Sequence, residues 1–132
     1  MVPVLVIDDE PSIRRLVCEA LTLEEHPVRT AINGADGLRV MRELPEPHVV
    51  LAGHMMPVMT GAAMLHEVAQ DPVLAEHHVY IPMTVTHNIP YMLEELKRFA
   101  RRPYLTLTLP FTYTQLIRVV HEANGQLKAR AN

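Results

Sequence analysis

The run Val49-Val50-Leu51-Ala52 constrains this chain more than any other stretch, because four successive apolar residues suit a strand buried on both faces, as in a parallel sheet covered by helices. Gly53 ends the run. Pro57, lacking the N–H that a central ladder needs, keeps His54-Met55-Met56 from continuing it, and Thr60-Gly61 offers a cap for a following helix. In open α/β sheets the ligand crevice lies at the carboxyl ends of the strands, so the loop between Gly53 and Gly61 is the expected site and the remainder its scaffold.

The 132 residues, 48% of them apolar, suffice for one core and not for two. No apolar stretch approaches a membrane span, and the amino end MVPVLVIDDE has neither a basic region nor a cleavage site, which predicts a cytoplasmic protein without a membrane partner. A net charge of −3 gives no footprint for direct nucleic-acid binding. Cys18 falls within a helical pattern and reads as a small apolar residue.

Pro3 to Ile7 is a second short apolar run, and it ends on Asp8-Asp9-Glu10. Adjacent acids there have two readings: they cap a helix whose first turn accepts Pro11, or they hold a divalent cation such as Mg²⁺, which prefers carboxylate oxygens. The spacing of Ile13, Leu16, Val17, Ala20 and Leu21 predicts an amphipathic helix from Ser12 to about Glu24, with Arg14, Arg15 and Glu19 outward. His26-Pro27 breaks it, and Val28 to Ile32 reads as a strand. Asn33-Gly34 and Asp36 open a second helix, buried through Leu38, Met41 and Leu44 and closed by Pro45 and Pro47. After the central loop, Ala62, Leu65, Val68 and Ala69 give a third helix that stops at Asp71-Pro72. Val79 to Thr86 is a fourth strand, with Pro82 expected at its start. Asn88 and Pro90 announce a helix packed through Met92, Leu93, Leu96 and Phe99 or Ala100. Tyr104 to Leu109 alternates as a fifth strand, and Thr112 caps a last helix carrying Leu116, Val119, Val120 and Ala123, expected to fray near Asn124-Gly125.

Five strands alternating with five helices predict an α/β fold, a flavodoxin-like (βα)5 doubly wound parallel sheet of strand order 2-1-3-4-5. That order brings Asp8, Asp9, Gly53 and His54 together at the switch point. Residues 1–124 form the expected domain and 125–132 a tail or linker stub.

Three stretches, VLVIDDEPSIRRLV, VVLAGHMMPVMTG and LTLPFTYTQL, resemble in order and spacing the receiver domain of bacterial two-component response regulators, over about residues 2 to 123. The resemblance implies phosphoryl transfer from a histidine kinase, or from a small acyl phosphate, to an aspartate at the end of the third strand. It also implies Mg²⁺ held by Asp8 or Asp9 and the Met55 carbonyl. The acceptor position falls on Gly53 and the phosphate-binding lysine on Leu109, and neither side chain does that chemistry. The family's pocket hydroxyl falls on Thr86, with Thr84 one pleat back. Its switch aromatic falls on Thr106, with Tyr104 two residues earlier, and Leu109-Pro110 is the candidate cis peptide.

Two losses at one site point to a pseudo-receiver, not an enzyme, that signals by protein contact within a phosphorelay. A second reading keeps chemistry in the pocket, with Asp8, Asp9 and His54 as a divalent-metal site or as surrogate phosphoacceptors. A third makes the chain a homodimer through the fourth helix, fifth strand and fifth helix, a face carrying Glu94, Glu95, Lys97, Arg98, Arg118 and Glu122. Met55, Met56, Met59 and Met64 read as core filling around the loop.

Overall fold

A computed structural model describes residues 1–85, 89–97 and 104–131. Strands β1 (Val4–Ile7), β2 (Val28–Ala31), β3 (Val49–Gly53), β4 (Val79–Val85) and β5 (Leu107–Leu109) form one parallel sheet in the order β2-β1-β3-β4-β5. Helices α1 (Pro11–Leu23), α2 (Gly34–Glu43), α3 (Gly61–Ala69), α4 (Pro72–His77), α5 (Ile89–Lys97) and α6 (Tyr113–Ala131) cover it. Successive strand residues point to opposite faces, and both faces are buried. Val4, Val6, Val49, Leu51, Ile81 and Met83 meet Val17 and Leu21 of α1 and Leu116 and Val120 of α6. Leu5, Ile7, Val50 and Tyr80 meet Leu38, Met64, Leu65, Met92 and Leu96 from α2, α3 and α5.

The expected strand order is present, with differences of physical origin. Asp71-Pro72 ends α3 and also starts α4, because Asp71 accepts from the N–H groups of Val73 and Leu74 (3.1 and 3.2 Å) and Leu74 is buried. Pro82 lies inside β4 and not at its start: it pairs with Ala52, whereas β5 begins opposite Met83, so no strand of the described residues faces Pro82 on its other side. The fifth strand keeps only Leu107–Leu109 of the expected Tyr104 to Leu109. On α1 the buried stripe runs through Val17, Ala20 and Leu21, and Leu16 sits at its edge, 56% exposed. The positions expected at Thr86, Arg98, Phe99 and Ala100, and the side chain of Leu93, lie outside the described residues.

The last helix does not fray at Asn124-Gly125. It starts as expected on a reciprocal cap, with Gln115 N–H donating to the Thr112 hydroxyl (3.1 Å) and Thr112 N–H to Gln115 Oε1 (2.8 Å). It then continues to Ala131, because Leu127 packs on the core and Arg130 donates to the carbonyls of Glu76 and His78 (3.3 and 2.8 Å). Tertiary contact thus overrides the local weakness of glycine. A Cβ at Gly125 meets nothing within 4 Å, so Gly125→Ala is expected to stabilise the chain by roughly 0.5–1 kcal/mol, read from urea unfolding.

Candidate functional site

The carboxyl ends of β1, β3 and β4 converge, as the strand order requires, on a cavity of about 200 Å³. Asp8, Asp9 and Glu10 line it from β1, Gly53 to Met55 from β3, Met83 to Val85 from β4, and Leu109 from the end of β5. The expected neighbours Asp8, Asp9, Gly53 and His54 are therefore together. Thr84, buried, supplies the hydroxyl of this wall. Ile13 and Met83 were not foreseen as lining; only the register of the sheet and the packing of α1 reveal them.

The loop after β3 is held at both ends. Gly61 N–H donates to the His54 carbonyl (2.9 Å), and Gly34 N–H donates to the Met59 carbonyl (3.1 Å). Between them Val58 takes φ 70° while 85% exposed, a conformation that a β-branched residue rarely adopts, and Met59 N–H donates across it to the Pro57 carbonyl (2.7 Å). Thr60 caps α3 by accepting from Ala63 N–H at 3.1 Å. His54 is buried against the cavity, whereas Met55 is 68% exposed at its rim, so Met55 is not core filling, although Met56 and Met64 are.

Asp8 is 6% exposed, and its Oδ1 accepts from Glu10 N–H at 2.9 Å. Burial is the largest influence on its carboxyl and raises its pKa; the Glu10 N–H lowers it, and the charges of Asp9 and Glu10 raise it again. Arg14 Nη1 donates to the Asp8 carbonyl at 2.8 Å, and its charge opposes the rise. A carboxyl whose pKa rises on folding stabilises most below the unfolded value and loses that contribution as pH climbs through the folded one. At neutral pH the charged Asp8 is consequently a cost. Asp8→Asn is expected to stabilise the chain by roughly 0.5–2 kcal/mol at pH 7, with the gain shrinking toward pH 4 in urea titrations.

The other candidate residues fall elsewhere or do not complete a set. Among the described residues no three of His, Cys, Asp and Glu are placed to hold a metal ion, so Asp8, Asp9 and His54 do not assemble as a metal centre. The set implied for Mg²⁺, Asp8 or Asp9 with the Met55 carbonyl, likewise lacks a carboxylate at Gly53, and the residues present fit that ion poorly. Tyr104 is half-buried against the second core cluster and lines a small crevice with Tyr80, Gln126 and Arg130, and Thr106 lines a groove between β5 and α6; neither reaches the Asp8 cavity. The Leu109–Pro110 peptide is cis. On the face expected for dimers, Lys97 meets Glu94 at 3.7 Å with both side chains more than 70% exposed, an arrangement that contributes little by itself. Among the described residues no helix is long and apolar enough to cross a membrane.

Comparison with known proteins follows the same outline. The chain is 35% identical over 72 residues to a probable chemotaxis protein CheY of Rhizobium etli, covering 54% of this chain and 55% of that one. It is 36% identical over 69 residues to a protein-glutamate methylesterase/protein-glutamine glutaminase of Methanosarcina mazei, covering 51% of this chain and 18% of that one. The chain thus spans between about a fifth and about half the length of such curated relatives. Among solved structures, the chemotaxis protein CheY4 of Vibrio cholerae superposes with a TM-score of 0.80 at 25% identity, over 93% of this chain and 98% of that one. The sheet order, the acids after β1 and the clamped loop after β3 are explained together by the profile described as response regulator receiver domain, which matches residues 4–120, and the chain belongs to that family.

Proposed function

We propose that this chain is a pseudo-receiver, which signals by engaging a partner protein without forming an aspartyl phosphate. The observation that carries the reading is the pair Gly53 and Leu109 on one cavity: the position from which a carboxylate attacks phosphorus has no side chain, and the wall from which a lysine neutralises the phosphoryl oxygens is apolar. Its partner is a histidine kinase or another signalling protein, reached by surface contact, and the chain is no enzyme. The helical stretch after Asn124, expected as a tail or linker, then serves as a rigid extension of α6. A homodimer through α5, β5 and α6 is the form in which that surface pairs with itself.

Intact-mass measurement after incubation with Mg²⁺ and acetyl phosphate tests this directly. The wild type is expected to gain no phosphoryl adduct, Gly53→Asp little, and Gly53→Asp with Leu109→Lys a clear one. An adduct on the wild type overturns the reading, and mapping it to Asp8, Asp9 or His54 identifies a surrogate acceptor.

A further inference from the structure

Three histidines gather where β3 and β4 begin, at the opposite end of the sheet from Gly53. His78 is fully buried, His48 nearly so, and His77 closes α4 half-buried. The His78 ring packs edge-on with the rings of His77, His48 and Tyr80, at centroid distances of 4.5, 5.8 and 6.2 Å. Its nitrogens have places for the neutral form alone: Nδ1 accepts from His48 N–H (2.9 Å) and Nε2 faces the Met41 carbonyl (3.4 Å). A second proton has no acceptor there, so the ring takes it readily only when the surroundings open.

Charges around the ring do not offset that proton. His77 and His48 act on it directly, and both oppose it. From α6, Arg130 donates to the His78 carbonyl at 2.8 Å. Arg29 on β2 opposes protonation of His48, whereas Glu46, whose carbonyl lies 2.7 Å from His48 Nδ1, favours it there and not at His78. Asp71 and Tyr104 act on Tyr80, and Glu76 meets Arg130 through its backbone carbonyl.

Helix α4 is the neighbour best able to yield. Its six residues are too few to stay helical alone. It is held by the buried Leu74, whose carbonyl accepts from the Tyr80 hydroxyl (2.9 Å), and by the Glu76 carbonyl, which accepts from Arg130 Nη1 (3.3 Å). Ala75 and Glu76 border a crevice of about 40 Å³ shared with Val68, Ala69 and Gln126, so the packing of α4 toward α3 and α6 is incomplete. Because His78 directly follows α4, lifting the helix hydrates the ring. We infer that α4 is an acid-released flap: protonation of His78 frees Pro72–His77 from Tyr80 and Arg130 while the five-stranded sheet stays folded. The device works whether or not the chain forms an aspartyl phosphate.

Amide hydrogen exchange of the ¹⁵N-labelled chain, corrected for intrinsic exchange at each pH, provides the test. Amides 73–77 are expected to open more often than those of Val50 and Leu51, which report unfolding of the sheet, and to respond little to low concentrations of urea. Between pH 7 and pH 4 their opening constant is expected to rise about hundredfold, the factor one proton gives when its pKa moves from about 4 in the closed chain to about 6.5 in the open one. His78→Asn is expected to remove most of that rise. Tyr80→Phe, which deletes one tie to α4, is expected to raise opening about fivefold at pH 7 and to keep the acid response. Exchange at 73–77 that tracks Val50 and Leu51 at every pH and urea concentration overturns the inference, as does local opening with no pH dependence, and both are read on the wild type. A hundredfold rise that persists in His78→Asn, or opening unchanged in Tyr80→Phe, overturns it as well.

Discussion

Acidification from pH 7 to pH 4 is expected to destabilise this fold by about 3 kcal/mol through one side chain, His78. Its ring is fully buried where β4 begins, with Nδ1 accepting from His48 N–H at 2.9 Å and Nε2 lying 3.4 Å from the Met41 carbonyl. That pair of contacts fixes the neutral tautomer carrying its proton on Nε2. A second proton on Nδ1 would face another N–H. Burial is the main cause, and the neighbouring His77 and His48 add to it, so the pKa falls from about 6.5 to about 4 although the Met41 carbonyl pulls the other way. An imidazole whose pKa is lowered on folding is protonated first in the unfolded chain, so stability drains away as pH falls from 6.5 toward 4. The difference between those two values, at roughly 1.4 kcal/mol per unit, gives the stated magnitude.

The surroundings do not cancel that loss. His48 is lowered for the same reason and adds to the trend, and Arg130 reaches across from α6 to donate to the His78 carbonyl, placing a further positive charge close by. Glu46 favours protonation only through His48, and Glu76 contributes its backbone carbonyl to Arg130. Asp8 acts oppositely, since a raised carboxyl pKa favours the folded state in acid, but it lies at the other end of the strands. Urea unfolding of wild type and His78→Asn between pH 7 and pH 4 separates these contributions. The Asn carbonyl can still accept from His48 N–H, so the variant is expected to lose most of the acid slope. An unchanged slope would sink the assignment to His78.

What could be read from the sequence divides along physical lines. The sheet order followed from apolar runs such as Val49 to Ala52 and Pro3 to Ile7, because a strand buried on both faces has no polar residue to spare. The loop after β3 was legible because glycine and proline act locally. Helix α4 was not, since Asp71-Pro72 is equally a stop and a start, and only the burial of Leu74 decides that it starts something. Continuation of α6 past Gly125 depends on Arg130 meeting carbonyls more than fifty residues away, which no local pattern records. In the site, the acids and Gly53 were legible from their positions at strand ends, while the apolar half of the cavity, through Ile13 and Met83, depends on how α1 and β4 pack. His78 carried no sequence signal beyond being a histidine next to an apolar run.

Gly61→Ala is expected to cost about 3 kcal/mol, at the upper end of what overpacking does. A Cβ built at Gly61 would lie 2.2 Å from the Gly53 carbonyl oxygen and 3.3 Å from the His54 Cα, and both are backbone atoms with no rotamer to change. Relief requires β3 and α3 to separate, which breaks the 2.9 Å bond from Gly61 N–H to the His54 carbonyl. Gly37→Ala is the informative control. Its Cβ would also collide, at 2.5 Å, but with Ile7 Cδ1, the far end of a flexible side chain. Rotation of Ile7 about its side-chain bonds relieves that clash, so a smaller loss is expected in the same urea titration. If the two variants lost equal stability, crowding by the backbone would not be what requires glycine at position 61. A larger loss for Gly61→Ala, accompanied by amide shift changes at Gly53 and His54, ties this glycine to the placement of the cavity wall, because the carbonyl it presses on belongs to the residue that stands at the acceptor position of the family.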